Sequence, residues 1–435
     1  MKILMIIPFI PYPLDSGGNQ AFFSMVNYLK DTHDISLLFP AVGRDKDKVR
    51  NLEQALDGKV RIYTHSAPGR VAGSLVGLGT YMNVLSYVHA SSGRKMQRWI
   101  GRNFDRIVDK PEQFKMASQL YMDMPDFSDD FMQFIYELCE RERFDCIQVE
   151  FFTCFPFKML FPPKVKTVFV EHEIQFVRIA NEMSLFGEVT WHDRVLSERK
   201  KNEELAELAS FDKIITLTET DRKILSEYLP ADRISVSPAV ISKKDRVLPF
   251  KECGVEFVYV GGAQHTPNLD AMIWFCNEII PVLRERNFTF RLYVVGQWGA
   301  RLVKAFKKKC PEVEFTGYIG DLEAFLNGRI SLVPVRIGSG MRIKILEAIH
   351  SMSPFITTTK GVEGQDFRDG EECLVCDTAE TFASAMMSLA ADKGLQEKLA
   401  GQALAKLHGS YDNSELLQRR ARFYQELAEE LPVRE

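Results

Sequence analysis

One run of residues in the last quarter of the chain has the make-up of an anion site. Gly338-Ser339-Gly340-Met341-Arg342-Ile343-Lys344-Ile345-Leu346-Glu347-Ala348-Ile349 follows the apolar run Ile330-Ser331-Leu332-Val333-Pro334-Val335. The apolar run reads as a buried strand, and apolar residues at 341, 345, 348, 349 and 352 then take the spacing of one helix face. Two glycines therefore fall at a strand-to-helix turn. There, backbone N–H groups approach a ligand closely and a helix start favours an anion. Arg336, Arg342 and Lys344 bring positive charge to the same place. Glu347, one to two turns into the helix, is placed to accept hydrogen bonds from sugar hydroxyls. Phosphate at one end and hydroxyls at the other describe a nucleotide-sugar site.

Other motifs fall at comparable turns. Ser16-Gly17-Gly18-Asn19 lies between a first strand and a first helix, where paired glycines bring main-chain N–H groups to a phosphate or sugar, or simply make a tight turn. The spacing is not G-x-G-x-x-G, which disfavours a dinucleotide. Gly261-Gly262 repeats the pattern ahead of Thr266-Pro267-Asn268. Gly296-Gln297-Trp298-Gly299 and Gly317-Tyr318-Ile319-Gly320 end further strands, with Trp298 open to base stacking or to packing. Glu171-His172-Glu173 follows the strand Lys166–Val170; its two carboxylate neighbours favour protonation of His172 at a readily tuned pKa.

The elements that must position these residues alternate strand and helix. At 435 residues, the chain is too long for one ordinary domain. Strands are expected at Ile3–Pro8, 34–39, 60–63, 146–151, 166–170 and 213–217, and after a polar reset near 240–254 at 256–260, 289–295, 313–316, 330–335, 354–358 and 373–376. Helices between them imply an α/β fold of two Rossmann-like, doubly wound parallel-sheet domains facing each other across a cleft. The expected domains are 1–245, with a helical insertion near 69–140, and 246–410. A long amphipathic helix in 411–435 is expected to cross back to the first domain. A net charge of -4 offers no global case for nucleic acid. The eight cysteines are scattered and read as reduced thiols, and Cys373-Leu374-Val375-Cys376 lacks the partners of a zinc site. The N-terminal apolar run is short and meets Pro8 and Pro11, so it reads as a buried strand rather than a signal segment. Residues 69–110 interleave basic and apolar side chains, the pattern of an acceptor or membrane-surface patch or of a solvated helical insertion.

Taken in series, these pieces resemble glycosyltransferase family 4, retaining enzymes of the GT-B fold that use nucleotide-sugar donors. The resemblance rests on Pro11-Tyr12-Pro13 with Ser16-Gly17-Gly18, on Phe144 to Glu150, on Glu171-His172-Glu173, on Phe211 to Thr218, on Val295-Gly296, on Phe315-Thr316-Gly317, and above all on Gly338 to Ala348. It implies that Glu347 is the second Glu of an E-x7-E motif and binds donor ribose hydroxyls. It also implies that Gly340 and Met341 lie near the diphosphate, that Gly17 and Gly18 close over diphosphate or sugar, and that His172 contacts the donor sugar near the reacting carbon. Gly262, Gly296, Gly317, Gly338 and Ser339 complete the expected donor site, with His172, Arg342 and Lys344 as the expected catalytic groups. The chain departs from the pattern at Ser339, where the first Glu would stand, and at Pro238-Ala239-Val240 near the linker.

The activity so implied is retaining transfer of a hexosyl group from a nucleotide-sugar to a glycan, lipid-linked or small-molecule hydroxyl, in cell-surface polysaccharide or glycolipid assembly. No metal or other cofactor is expected. The expected location is the cytoplasm, with peripheral membrane contact through 69–110. A transferase-like subunit that binds nucleotide-sugar without turnover, and a GT-B epimerase, are the alternatives.

Overall fold

The computed structural model describes residues 1–14, 17–65, 115, 118–121, 127–240, 248–411 and 413–430. Ser16, the basic stretch 69–110 and the expected boundary at 245/246 lie outside them.

Short runs of branched and aromatic residues, bounded by Gly, Pro and polar turns, form the strands. Among the described residues the first sheet has β1 (Lys2–Ile6), β2 (Asp34–Pro40), β3 (Arg61–His65), β4 (Cys146–Glu150), β5 (Lys166–Glu171), β6 (Lys213–Thr216) and β7 (Ile234–Val236). The second has β8 (Glu256–Val260), β9 (Arg291–Val295), β10 (Val313–Gly317), β11 (Ile330–Val333), β12 (Phe355–Thr357) and β13 (Leu374–Val375). The spatial orders are β3-β2-β1-β4-β5-β6-β7 and β10-β9-β8-β11-β12-β13, with parallel pairings. Helices cover both faces of such sheets, so their strands are apolar on both sides. Ile3, Leu4, Met5 and Ile6 are accordingly all 0% exposed.

The order reverses between β1 and β4 and again between β8 and β11. Loops leaving adjacent strands there go to opposite faces, and the crevice between them at the carboxyl ends is the ligand position of a doubly wound sheet. Four segments open on these two crevices: the loop into Gly17, the Phe151 turn, Gly261-Gly262, and Pro334 to Arg342.

Two elements differ from expectation. β7 is three residues long after a single 3-10 turn, too brief for a periodic signal. The single helix expected over 268–285 divides into Thr266–Trp274, a π segment Phe275–Ile279 and Ile280–Glu285. Pro281 has no N–H to return to the preceding turn, so the helix widens ahead of it.

The helix Asn413–Glu429 packs on the first-sheet helix Gly17–Leu29 and buries Leu416, Ala421, Tyr424 and Leu427. Arg420 Nε donates to Ser237 Oγ at 2.8 Å, the Tyr424 hydroxyl donates to Gln148 Oε1, and Glu430 pairs with Lys213 at 3.0 Å. One apolar cluster runs from β1 through this helix to Phe257 and Ile330 of the second sheet and Ile345 of the helix Ile343–His350. Leu427 is 2% exposed. Leu427→Ala is therefore expected to destabilise the protein by about 2–5 kcal/mol in urea unfolding followed by circular dichroism. Glu429→Ala, on the exposed face, is expected to stay within about 0.5 kcal/mol.

Candidate functional site

After β11 the chain runs through Pro334 to Arg342 before the helix Ile343–His350 begins. Gly338 and Gly340 hold left-handed backbone, with φ of 110° and 75°. The loop they make is seated on the first domain. Ser339 Oγ accepts the Ile174 N–H at 2.7 Å, and Asn181 Oδ1 accepts the Gly338 N–H at 3.3 Å. A methyl group on Gly340 would overlap the His172 carbonyl oxygen.

Arg342 is buried under this loop, and its Nη1 donates to the carbonyls of Ser339 and Gly340. Its Nε and Nη2, and Glu173 Oε1 from the first domain, are buried without hydrogen-bond partners among the described residues. Burial lowers the Arg342 pKa, against the Glu173, Glu363 and Asp221 carboxylates. Burial alone would raise Glu173, but Arg178, His265 and Arg342 hold it well below the usual carboxylate range. Arg178 binds it at 2.9 Å and His265, from the second domain, at 3.2 Å.

Lys344 and Glu347 are three residues apart on one helix face. Lys344 Nζ lies 2.7 Å from Asn268 Oδ1, 3.2 Å from the Tyr259 hydroxyl and 4.5 Å from the centre of the Tyr259 ring. Asn268 Nδ2 in turn donates to the Gly262 carbonyl at 2.9 Å. Burial, then the Arg342 charge, pushes Lys344 down to about 7. Burial pushes Glu347 up to about 7, against Lys344 and a 3.4 Å hydrogen bond from Gln20 Nε2 of the first domain. Both groups keep some solvent contact while protein surrounds them, as on a cleft floor.

The opposite wall is first-domain backbone and one imidazole. Gly17 packs so closely on Ile343 that a methyl group there would overlap it, whereas the space beside Gly18 is open among the described residues. His172 Nε2 lies 2.5 Å from Glu150 Oε2, and its ring stacks on Phe151 with centroids 4.0 Å apart and planes 2° from parallel.

Residues 254–392 match the model of the family described as glycosyl transferases group 1. The protein of Klebsiella pneumoniae described as an uncharacterized 44.6 kDa protein in the cps region is 21% identical over 246 residues, 54% of this chain and 61% of that protein. The match therefore spans about three-fifths of the relative's length. Among solved structures, S. aureus TarM in a complex containing UDP and alpha-GlcNAc-glycerol superposes with a TM-score of 0.65 at 11% identity, covering 97% of this chain and 99% of TarM. Anabaena HepE in complex with UDP and glucose gives 0.61 at 11% identity, covering 98% and 100%. Sucrose-phosphate synthase from Thermosynechococcus elongatus gives 0.65 at 12% identity, covering 98% of each chain. The fold is GT-B.

The GT-B arrangement sets Gly17 and His172 of one domain against Ile343 and Gly340 of the other, beside Glu347 and Ser339, which meet Gln20 and Ile174. Gly18 on one side and Gly338, Met341, Arg342 and Lys344 on the other belong to the same two segments. Gly262, Gly296 and Gly317 stand on the rim of the second sheet; at Gly262 and Gly296 the lack of a side chain serves turn-on-turn packing, and Gly317 holds left-handed backbone with φ of 73°. A Cβ on Gly296 would lie 2.8 Å from Gly261 backbone, and the Gly296 N–H donates to the Gly317 carbonyl at 2.9 Å.

Two expectations need correction. Arg336 does not join the cationic group; it turns to Asp270, at 2.6 Å, and over the Trp274 ring. Trp298, open in sequence to stacking or to packing, packs: its Nε1 is bonded to the Gly261 carbonyl and its ring lies edge-on to Phe306 and Phe315. The carboxylate bonded to His172 is Glu150 from the neighbouring strand, not Glu171 or Glu173, which face elsewhere. Ser339, expected at the donor site, accepts the Ile174 N–H on its hydroxyl at the domain interface. Gln20, Glu150 and Tyr259 lie at the candidate site and were not singled out in the sequence, and Glu173 and Asn268 stood there only as members of the Glu171-His172-Glu173 and Thr266-Pro267-Asn268 motifs. For Glu150 a signal existed: a carboxylate ending an apolar central strand.

Gly340→Ala combines a left-handed φ with a backbone overlap. It is expected to destabilise by about 1–3 kcal/mol or more and to loosen the domain contact, read as a lower melting temperature and faster proteolysis. Gly18→Ala, with open space, is expected to be neutral or stabilising by up to about 1 kcal/mol.

Proposed function

We propose that this protein is a retaining glycosyltransferase that moves a sugar from a nucleotide-sugar donor to a hydroxyl of a glycan, lipid-linked or small-molecule acceptor. The observation that carries the reading is the pairing of Lys344 and Glu347 on one helix face of the matched domain, opposite the Gly17-Gly18 turn. A recessed ammonium suits a diphosphate, and a recessed carboxyl group suits ribose hydroxyls one turn away. TarM and HepE, solved with UDP, support a nucleotide donor.

In this proposal the diphosphate lies over Gly338–Gly340, with Lys344 and Arg342 balancing its charge without a metal. The bond from the anomeric carbon to the diphosphate oxygen breaks as an oxocarbenium-like transition state forms, and fixed positive groups stabilise the departing anion. The acceptor oxygen bonds to the same carbon on the face the diphosphate leaves, and its proton passes to the departing phosphate oxygen. His172 meets a sugar hydroxyl beside the reacting carbon. No described helix is long and apolar enough to cross a membrane. The proposal puts the reaction in the cytoplasm, with 69–110 as the candidate contact to a membrane-borne acceptor.

A second reading, donor binding without turnover, draws on Ser339, whose hydroxyl is bonded to Ile174 and which brings no carboxylate to the sugar end. A panel of UDP-, GDP-, ADP- and CMP-sugars separates the two: transfer releases nucleotide, whereas binding alone raises only the melting temperature. Glu347→Ala is expected to weaken the matching donor by about 1.5–3 kcal/mol in calorimetry. Unchanged binding and turnover in that variant would remove the site assignment. As pH rises through about 7, Lys344 and Glu347 each lose a proton. Both changes subtract positive charge, so nucleoside diphosphate affinity is expected to fall across that window and to fall less steeply in Lys344→Met.

A further inference from the structure

We propose that Glu150 is a positioning residue: it holds the His172 imidazole with Nε2 protonated and Nδ1 turned to the cleft as a bare acceptor. It does so as the end of a buried hydrogen-bond relay that starts at Tyr424 in the C-terminal helix. This rests on the reading of His172 as the imidazole beside the donor sugar.

The relay is directional. Gln148 and Glu150 are two apart on β4, so both side chains leave the same face of the sheet. That face carries the C-terminal helix, and Tyr424 and Gln148 are each 0% exposed and Glu150 1% exposed. The Tyr424 hydroxyl donates to Gln148 Oε1. With its oxygen so engaged, the Gln148 amide turns Nε2 to Glu150 Oε1 and donates there. Glu150 Oε2 then faces His172 Nε2 at 2.5 Å. An ionised carboxylate only accepts, so both neighbours must bring a proton to it. A neutral His172 therefore carries its proton on Nε2, and its lone pair is on Nδ1.

The surroundings keep the ring in that pose. Phe151, directly after Glu150, has φ 69° and ψ 138°, a region an aromatic residue rarely occupies. Residues held there cluster at functional sites. The outcome here is a phenyl ring flat against the imidazole, 4.0 Å away. The His172 side chain is 24% exposed, and Nδ1 has no hydrogen-bond partner among the described residues. The group offered to the cleft is an acceptor for a hydroxyl, the functional group that donor and acceptor sugars share.

The test reads the proton directly. Long-range proton–nitrogen NMR on the full chain with 15N-labelled histidine, assigned by difference from His172→Gln, is expected to show the Nε2–H tautomer in the unmodified protein. Glu150→Gln keeps the shape but presents an amide N–H to one of its two donors. Gln148 retains the oxygen, so His172 Nε2 becomes an acceptor and the proton moves to Nδ1. Its kcat is expected to fall on the order of 10²-fold, with donor KM changed less than about threefold. Tyr424→Phe frees the Gln148 amide to rotate and is expected to give mixed tautomers. A His172 proton on Nδ1 in the unmodified protein, or an unchanged tautomer in Glu150→Gln, overturns the proposal. The unmodified spectrum needs neither a variant nor turnover. Absent nucleotide release would therefore defeat the transferase reading alone, and a wrong tautomer in an active enzyme would defeat this inference alone.

Discussion

The site exists because a glycine loop of one domain fits against a peptide carbonyl of the other. Gly340 meets the His172 carbonyl oxygen with no room for a methyl group, and Ser339 takes the next free N–H, that of Ile174. Two sheets whose crevices each open at their carboxyl edge are thereby set edge to edge. The Gly17–Ile343 packing and the Gln20–Glu347 hydrogen bond follow from the same approach. So does the apolar continuity that runs through the C-terminal helix. Neither crevice alone has both the cationic floor and the imidazole wall.

Charge burial accompanies this docking. Glu204 accepts the N–H groups of Gln175 and Phe176 at 2.7 and 2.8 Å, so it caps the helix that follows Ile174. Burial pushes it up to about 8, and burial with the Glu204 charge pushes Glu171 up as well. Burial thus pushes both of these acids upward. Glu173, by contrast, is held ionised by Arg178, His265 and Arg342. The unpaired Nε and Nη2 of Arg342 and Oε1 of Glu173 are concentrated at the loop itself. Unsatisfied buried polar groups are costly and uncommon.

Much of the frame was legible one residue at a time. Strand burial is written in runs such as Ile3 to Ile6, and the strand–helix alternation compelled parallel sheets. The Gly338 to Glu347 block announced its own turn and helix, because left-handed backbone calls for glycine and i, i+3 spacing puts Lys344 and Glu347 on one face. What local pattern missed was short or interrupted: the three-residue β7 and the π segment before Pro281.

Fold class and the turns of bare backbone can be read along the chain, since both depend on short-range sterics and on the period of apolar residues. Partners were decided only in three dimensions. Arg336 and Lys344 look alike in sequence, yet one is consumed by Asp270 and the other is left on the cleft floor. His172 stands between two glutamates in the chain but bonds a third from the next strand, itself tied to a tyrosine 276 residues beyond Gln148. A hydrogen bond depends on direction over about 3 Å, and only the packed sheets and the crossing helix set those directions.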